Sequence, residues 1–392
     1  MCQTPKRVQA NYAMWRIVED SLYYLNEEVL RRELAFSAAI GGRKKRPPRW
    51  NHCIQLVLET FPILVGSLYV RNYFDKETKA NAAAMAADVK EHFIRILETV
   101  EWMDEKTRNH SVEVANAMSA YIAYPDELLD DEELEKLWPD FDLSEDYFFE
   151  NIYHLAAYGR NKRFSKLREP IDEKDWKYRV NPTIVNAFYN SALNSFHLPA
   201  GILQGDFFNN DRPKYMNYGG IGTIIGHEIA HGFGEIGWQF DENGNKLDWW
   251  EPSNKENYLK RTSCIVDQYA NQTVQEVNLK LNGTKTQKEN MADNRGIKAA
   301  YMAYNDWAEV NGPEPQLPGI DRTPQQMFWI SIATSSCSVS TPESMKFQID
   351  HNFHSPEEFR VLVPLWNSLE FAKDFKCPVG SKMNPKKKCS VW

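Results

Sequence analysis

The stretch GHEIAHGFGE, residues 226–235, constrains this chain more than any other. It sets His227 and His231 four apart, with Glu228 directly after the first histidine. Ile221, Ile224, Ile225, Ile229 and Phe233 fall on helical spacing around it, and Gly232, Gly234 and Gly237 weaken and end that helix. On such a helix the two imidazoles share one face, so they can hold one zinc ion while Glu228 projects beside the metal rather than onto it. A zinc-bound water has its pKa lowered towards roughly 7, and Glu228 could take its proton as it attacks a carbonyl and hand it to the leaving amine. That is hydrolysis of a peptide bond. The bland alternative is two histidines satisfied by local hydrogen bonds, since H-E-x-x-H should arise by chance in roughly one chain of this length in a hundred.

A third ligand is needed, and the residues leave two candidates. The metzincin pattern H-E-x-x-H-x-x-G-x-x-H is met through Gly234 but ends on Gly237, which has no ligand atom, so that class is excluded. Glu251, in DWWEP, lies 20 residues after His231, although its neighbours suggest a turn before a helix. Glu289, in KENMADNRG, is followed by Asp293 at i+4, so one helical face could present Glu289 as ligand and Asp293 as proton acceptor for a ligand histidine. A solvated acidic face is the competing account of that pair.

The remaining sequence is globular and rich in helical pattern. Segments 10–25, 52–70 and 80–100 carry apolar residues three and four apart, whereas TIVNAFYN (183–190) is β-branched and aromatic enough for a strand. FHLPAGILQGDFF (196–208) continues as an apolar segment broken by glycine, and Asn243-Gly244 marks a turn. Ser253 with Glu256, Thr323 with Gln326 and Ser355 with Glu358 each fit a capping box. A formal net charge of −8 opposes non-specific nucleic-acid binding, and two basic clusters, 41–49 and 384–389, read as solvated loops. No run approaches the roughly 20 apolar residues of a membrane span. Sequons at Asn109, Asn271 and Asn282, with six cysteines, point to the secretory route; because residues 1–10 lack a signal peptide, the expectation is that the address lay upstream.

VNAFYN, LPAGILQ, NYGGIG, GHEIAHGF, ENMADN, HSPEEFR and the terminal CSVW occur in the order of the neprilysin-like (M13) zinc endopeptidases, and ANYAMWR and WMDEKTR are similar to upstream segments of that family. The resemblance covers essentially the whole chain. It implies a mainly α, two-lobed gluzincin metallopeptidase with a small β-sheet beside the H-E-x-x-H helix, residues 1–130 forming part of a helical second lobe over the substrate cavity and 131–392 the catalytic domain. It implies one zinc held by His227, His231 and Glu289, Glu228 as general base, Asp293 supporting His227, and His354 donating to the oxyanion. Arg360 would bind a substrate carbonyl and hold Asp293; Asn186 and Ala187 would pair with substrate backbone as an added strand. Ile202, Phe207 and Ile224 would line an apolar pocket for the residue after the cut. The family's pairing would join Cys264 to Cys389, and Cys53, Cys337 and Cys377 match cysteines whose partners lie in an upstream segment; Cys2 has no assignment.

The sequence departs from the family pattern where an acidic pair usually follows His-Gly-Phe: here stand Gly234 and Glu235, and Glu235 might substitute in steadying His231. Lys288 and Arg295 replace glycines flanking the acidic motif, and Ser336 stands where tryptophan is usual. The implied activity is cleavage of small peptides on the amino side of apolar residues, with no nucleic-acid partner, in an extracellular setting, either secreted or as the ectodomain of a type II membrane protein. The alternative is a secreted protein of the same fold that binds peptides or a partner with weak or no catalysis.

Overall fold

The computed structural model describes all residues except 1–2, 138–140, 142, 171–174, 177–180, 235–236, 248 and 392. The described chain is mainly helical, in agreement with the pattern of the sequence. Its helices are α1 (Lys6–Ser21), α2 (Glu27–Gly41), α3 (Arg49–Thr60), α4 (Pro62–Tyr73), α5 (Lys76–Glu98), α6 (Glu105–Ala117), α7 (Asp131–Glu135) and α8 (Phe148–Ser165). There follow α9 (Lys214–Asn217), α10 (Thr223–His231), α11 (Pro252–Ala270), α12 (Gly283–Asn311), α13 (Pro324–Ser335), α14 (Pro342–His351), α15 (Glu357–Asn367) and α16 (Leu369–Asp374). Among the described residues no single helix is long and apolar enough to cross a membrane.

Two compact units emerge, Met1–Phe61 with Leu134–Asp172, and Pro62–Glu133 with Glu173–Trp392. Compactness therefore groups residues 62–133 with the C-terminal part. In the first unit Tyr24 packs edge-on to Phe148 and the Arg49 guanidinium lies 5.1 Å from the same ring. The second unit is built around α12, a helix of 29 residues whose buried positions run from Gly283 to Tyr304.

The closest helix pair in that unit is α10 on α12, and two glycines make it possible. A Cβ at Gly226 would overlap the backbone of Gly296, and a Cβ at Gly296 would overlap the backbone nitrogen of His227. The absence of both side chains lets the axes cross almost backbone to backbone. Helix α5 supports the other side of α10, with Phe93 and Phe233 rings 5.3 Å apart. One wide π-helical turn, Tyr218–Gly222, leads into α10, and Ile221, Ile225, Ile229 and Phe233 are fully buried as their spacing predicts.

Strands β1 (Ser119–Ala123), β2 (Phe188–Asn190) and β3 (Ser195–Pro199) form a sheet in the order β1-β3-β2, with β1 parallel and β2 antiparallel to β3. The sheet lies beside α10: a Cβ at Gly232 would sit 3.2 Å from the Tyr189 hydroxyl. A two-stranded ribbon, β4 (Thr273–Val274) with β5 (Leu279–Lys280), joins α11 to α12.

Local expectations are corrected at four places. Segment 52–70 is divided between α3 and α4, because Pro62 cannot continue the hydrogen-bond ladder and drives Phe61 out of helical geometry, to φ −123° and ψ 50°. Of TIVNAFYN only Phe188–Asn190 is strand. At α11 the cap position falls on Glu251, with Pro252 inside the first turn and no side-chain cap from Ser253. At α15 Ser355 does not cap either, because its hydroxyl donates instead to Asn290 Oδ1 at 2.8 Å. Thr323 and Gln326, by contrast, form the full capping box of α13.

The C-terminal basic cluster is a loop with Lys386 and Lys387 exposed, but it is anchored at both ends, where Asn384 and Cys389 are buried. Cys264 and Cys389 are bonded across a sequence separation of 125, Cys389 N donates to Asn367 Oδ1 at 2.9 Å, and Lys388 Nζ donates to the carbonyl of Trp366. The segment is a strap pinned over the helices.

Candidate metal and peptide site

Helix α10 presents His227 and His231 on one face, and α12 brings Glu289 and Asp293 to meet them across the glycine crossing. His227 Nε2 lies 3.0 Å from His231 Nε2 and 3.1 Å from Glu289 Oε2, and His231 Nε2 lies 3.4 Å from the same oxygen. Three ligands bound to one ion at the usual zinc distances, with tetrahedral angles, would be about 3.3 Å apart. The triangle has the size and the donor chemistry, two imidazole nitrogens and one carboxylate oxygen, of a catalytic zinc site with a fourth position open. The alternative Glu251 is elsewhere: it caps α11 and pairs with Lys106 at 2.9 Å.

His354 also reaches this point, with Nε2 3.1 Å from Glu289 Oε2. By separation alone His227, Glu289 and His354 form a group able to hold a metal, all within 4.8 Å of one another. His231 shares the helical face of His227, so either His231 or His354 could complete a set with His227 and Glu289. His354 projects from the exposed loop before α15, where Asn352 Oδ1 lies 3.2 Å from its Nδ1.

Behind the ligands a chain of charge fixes the geometry. Asp293 Oδ1 is 2.8 Å from His227 Nδ1, and Arg360 grips Asp293 with both Nε and Nη2, at 2.9 and 2.8 Å. Burial, the largest single influence, raises the Asp293 carboxyl, but the charges and hydrogen bonds of Arg360 and His227 together outweigh it and hold it below the usual carboxylate range. Burial likewise opposes the charged forms of His227 and Glu289; hydrogen bonds and opposite charges prevail, holding the imidazole up at about 10 and the Glu289 carboxyl far below its usual range. The field that favours an imidazolium here equally favours a divalent cation. With Nδ1 donating to Asp293, a metal would take the place of the proton on Nε2.

These groups open onto a cavity of about 730 Å³. Glu228, buried on α10, lines it, as do Asn186 and Ala187 beside the edge strand β2. So do Ile202, Phe207, Ile224, His354 and Arg360. His227, His231, Glu289 and Asp293 line it too, so these candidates border one cavity, whereas Glu251 does not. Ser336 and Cys337 also border it, together with Arg295, which donates from Nη1 to Phe233 O at 3.2 Å. Glu357 was not anticipated: it opens α15, lines the cavity, and burial pushes its carboxyl up. Only its capped-helix position hinted at it. Glu235 and Cys2 lie outside the described residues.

The Cys264–Cys389 bond is present, and Cys53, Cys337 and Cys377 are free thiols. Asn109, Asn271 and Asn282 are all exposed, and Asn282 caps α12 by accepting from Lys285 N.

Two sequence profiles, both described as peptidase family M13, match residues 186–391 and residues 1–125. Neprilysin-2 of Drosophila melanogaster is 46% identical over 403 aligned residues, covering 100% of this chain and 52% of that protein. Human endothelin-converting enzyme 1 is 37% identical, covering 97% of this chain and 49% of its own length. A zinc metalloprotease of Mycobacterium tuberculosis, solved in complex with an inhibitor, superposes with a TM-score of 0.87 at 26% identity, over 96% of this chain and 56% of that one. The chain spans about half the length of the curated relatives it matches.

Proposed function

Because the chain belongs to peptidase family M13, a family of zinc metallopeptidases with neprilysin and endothelin-converting-enzyme relatives, we propose that it serves a zinc-dependent endopeptidase acting on small peptides. The observation that carries this reading is the convergence of His227, His231 and Glu289 at ligand spacing with Asp293 and Arg360 behind them. One zinc held by these three would act as a Lewis acid on a peptide carbonyl and lower the pKa of an attacking water. Glu228 takes the proton from the attacking water and returns it to the leaving amine. His354 stabilises the oxyanion by donation, Asp293 orients His227, and Arg360 both holds Asp293 and meets a substrate carbonyl. Asn186 and Ala187, next to the strand at the sheet edge, pair with an extended substrate. Ile202, Phe207 and Ile224 accept an apolar residue on the amino side of which the cut falls.

For the division of labour we propose a catalytic part over 131–392 and a second lobe drawing on 1–130, with α5 assigned to the catalytic scaffold because it packs on α10. The three exposed sequons and the disulfide support an extracellular setting, secreted or as an ectodomain.

Glu228→Gln should lower cleavage of an apolar-residue peptide by about 10²–10⁴ fold while zinc content stays at one per chain; full activity in that variant would remove Glu228 from the role of base. A second reading, peptide binding with weak or no turnover, is favoured by Gly234, which leaves His231 without the carboxylate usual after His-Gly-Phe. Stoichiometric zinc with no turnover on a peptide library, even when the segment completing the relatives' length is co-expressed, would select it.

A further inference from the structure

Among the described residues, four carboxylates line the cavity at the candidate metal site: Glu228, Glu289, Asp293 and Glu357. Glu289 faces His227 and His231, Asp293 is held by His227 and Arg360, and Glu228 is assigned the proton of the attacking water. Glu357 has none of these duties. We propose that Glu357 selects, among the peptides entering this cavity, those that carry a basic side chain close to the bond to be cut, an inference that rests on the peptidase reading above and names the class of substrate it favours.

The start of α15 puts the side chain in place. Pro356 takes the cap position, so Glu357 is the first residue of the helix, and Arg360 follows at i+3 on the same face. His354 lies three residues before it, in the loop. A peptide backbone that meets both His354 and Arg360, the groups assigned to the oxyanion and to a substrate carbonyl, therefore passes beside Glu357. Its neighbour Glu358 is exposed and does not line the cavity.

The charge of Glu357 is not already spent. Arg360 commits Nε and Nη2 to Asp293, at 2.9 and 2.8 Å, and only its Nη1 approaches Glu357, at 4.0 Å from Oε1, beyond hydrogen-bond length. One guanidinium thus stands beside two carboxylates, and Asp293 holds it. Of the other cations on the wall, Arg295 donates to the Phe233 carbonyl and Lys288 is exposed on α12; neither forms an ion pair with Glu357. The Glu357 side chain is 35% exposed, so a ligand can reach it. Burial nonetheless outweighs the Arg360 charge and pushes its carboxyl up. A partly desolvated carboxylate with too little compensation gains from a cation that brings its own hydrogen bonds. An acidic side chain would instead meet Glu357 and Asp293 together, and a neutral one would leave the carboxylate as it stands.

The test reads binding rather than turnover, so it serves a slow enzyme as well as a fast one. The full chain carrying Glu228→Gln is loaded with zinc and titrated calorimetrically with short peptides blocked at both ends, so that only a side chain can bring positive charge. Each peptide has one arginine, placed at a different position, and a counterpart in which citrulline keeps the shape of arginine without its charge. At one position arginine should bind about tenfold tighter than citrulline, and adding Glu357→Gln should bring the two to within about twofold of each other. Glu357→Asp, which keeps the charge, should retain part of the preference. Glutamine preserves the volume of a half-exposed side chain, so that variant should keep its zinc and its melting temperature. Equal binding of arginine and citrulline peptides at every position, or a preference that survives Glu357→Gln, would overturn the role of Glu357 and leave the cavity a peptide site. Binding of no peptide at all by the zinc-loaded protein would remove the peptide reading, and the selectivity with it.

Discussion

Gly296 contributes no functional group, yet the close crossing of α10 and α12 at the candidate metal site depends on it. Its α-carbon lies against the backbone of Gly226 and His227, and any side chain there separates the helix bearing His227 and His231 from the helix bearing Glu289. Gly296→Ala should destabilise the fold by about 1–3 kcal/mol through overpacking, measured by urea unfolding, and should reduce zinc content in the same preparation. Wild-type stability in that variant would mean that the helices can separate without cost. The candidate residues of α10 were legible because histidine, glutamate and histidine at i, i+1 and i+4 carry a chemical signal within five residues, whereas Glu289 was left open against Glu251 until the fold brought it to the histidines. Gly296 carried none: a close approach involves two distant segments, and only the fold brings them together.

At the scale of elements, helix starts were legible wherever the capping side chain has no stronger attraction. Thr323 caps α13 as its pattern predicts, while Ser355, which has the same pattern, is taken by Asn290. Strand length was less legible: Thr183, Ile184 and Val185 are β-branched, but on the register of β2 they run past Pro199, the end of β3, and pair with no strand among the described residues. One cap ties two elements together: Asp104 accepts from Thr107 N at 2.8 Å at the start of α6, and Asn254 of α11 donates to its other oxygen. The Thr107 amide and these donors hold the Asp104 carboxyl below its ordinary value of 3.8. A depressed folded-state value means the contribution is complete above that pH and is lost as the pH falls through the folded value. Asp104→Ala should therefore cost about 1 kcal/mol at neutral pH, and the difference from wild type should shrink once the pH is taken below 3.8. A pH-independent difference in denaturation midpoint would show that the charge has no part in the cap.

For the molecule as a whole, the mainly helical class followed from periodicity and motif order, whereas the compact division did not, because α4 and α5 resemble α2 and α3 in pattern and differ only in what they pack against. The Cys264–Cys389 bond closes a loop of 125 residues, which on the chain-entropy estimate stabilises by about 4–5 kcal/mol. Replacing both cysteines by serine should lower the calorimetric midpoint and expose the strap to protease before the rest unfolds; an unchanged midpoint would mean that its hydrogen bonds hold the strap without the disulfide. The same bond imposes a timetable on biosynthesis. At translation rates of roughly 5–20 residues per second, Cys389 emerges about 6–25 s after Cys264, a gap set by their separation of 125. During that interval Cys264 is a nascent thiol in company with Cys2 and Cys53, and then with Cys337 and Cys377, so under oxidising conditions a ribosome-bound chain can trap wrong pairs, and its yield would then depend on how quickly they are undone.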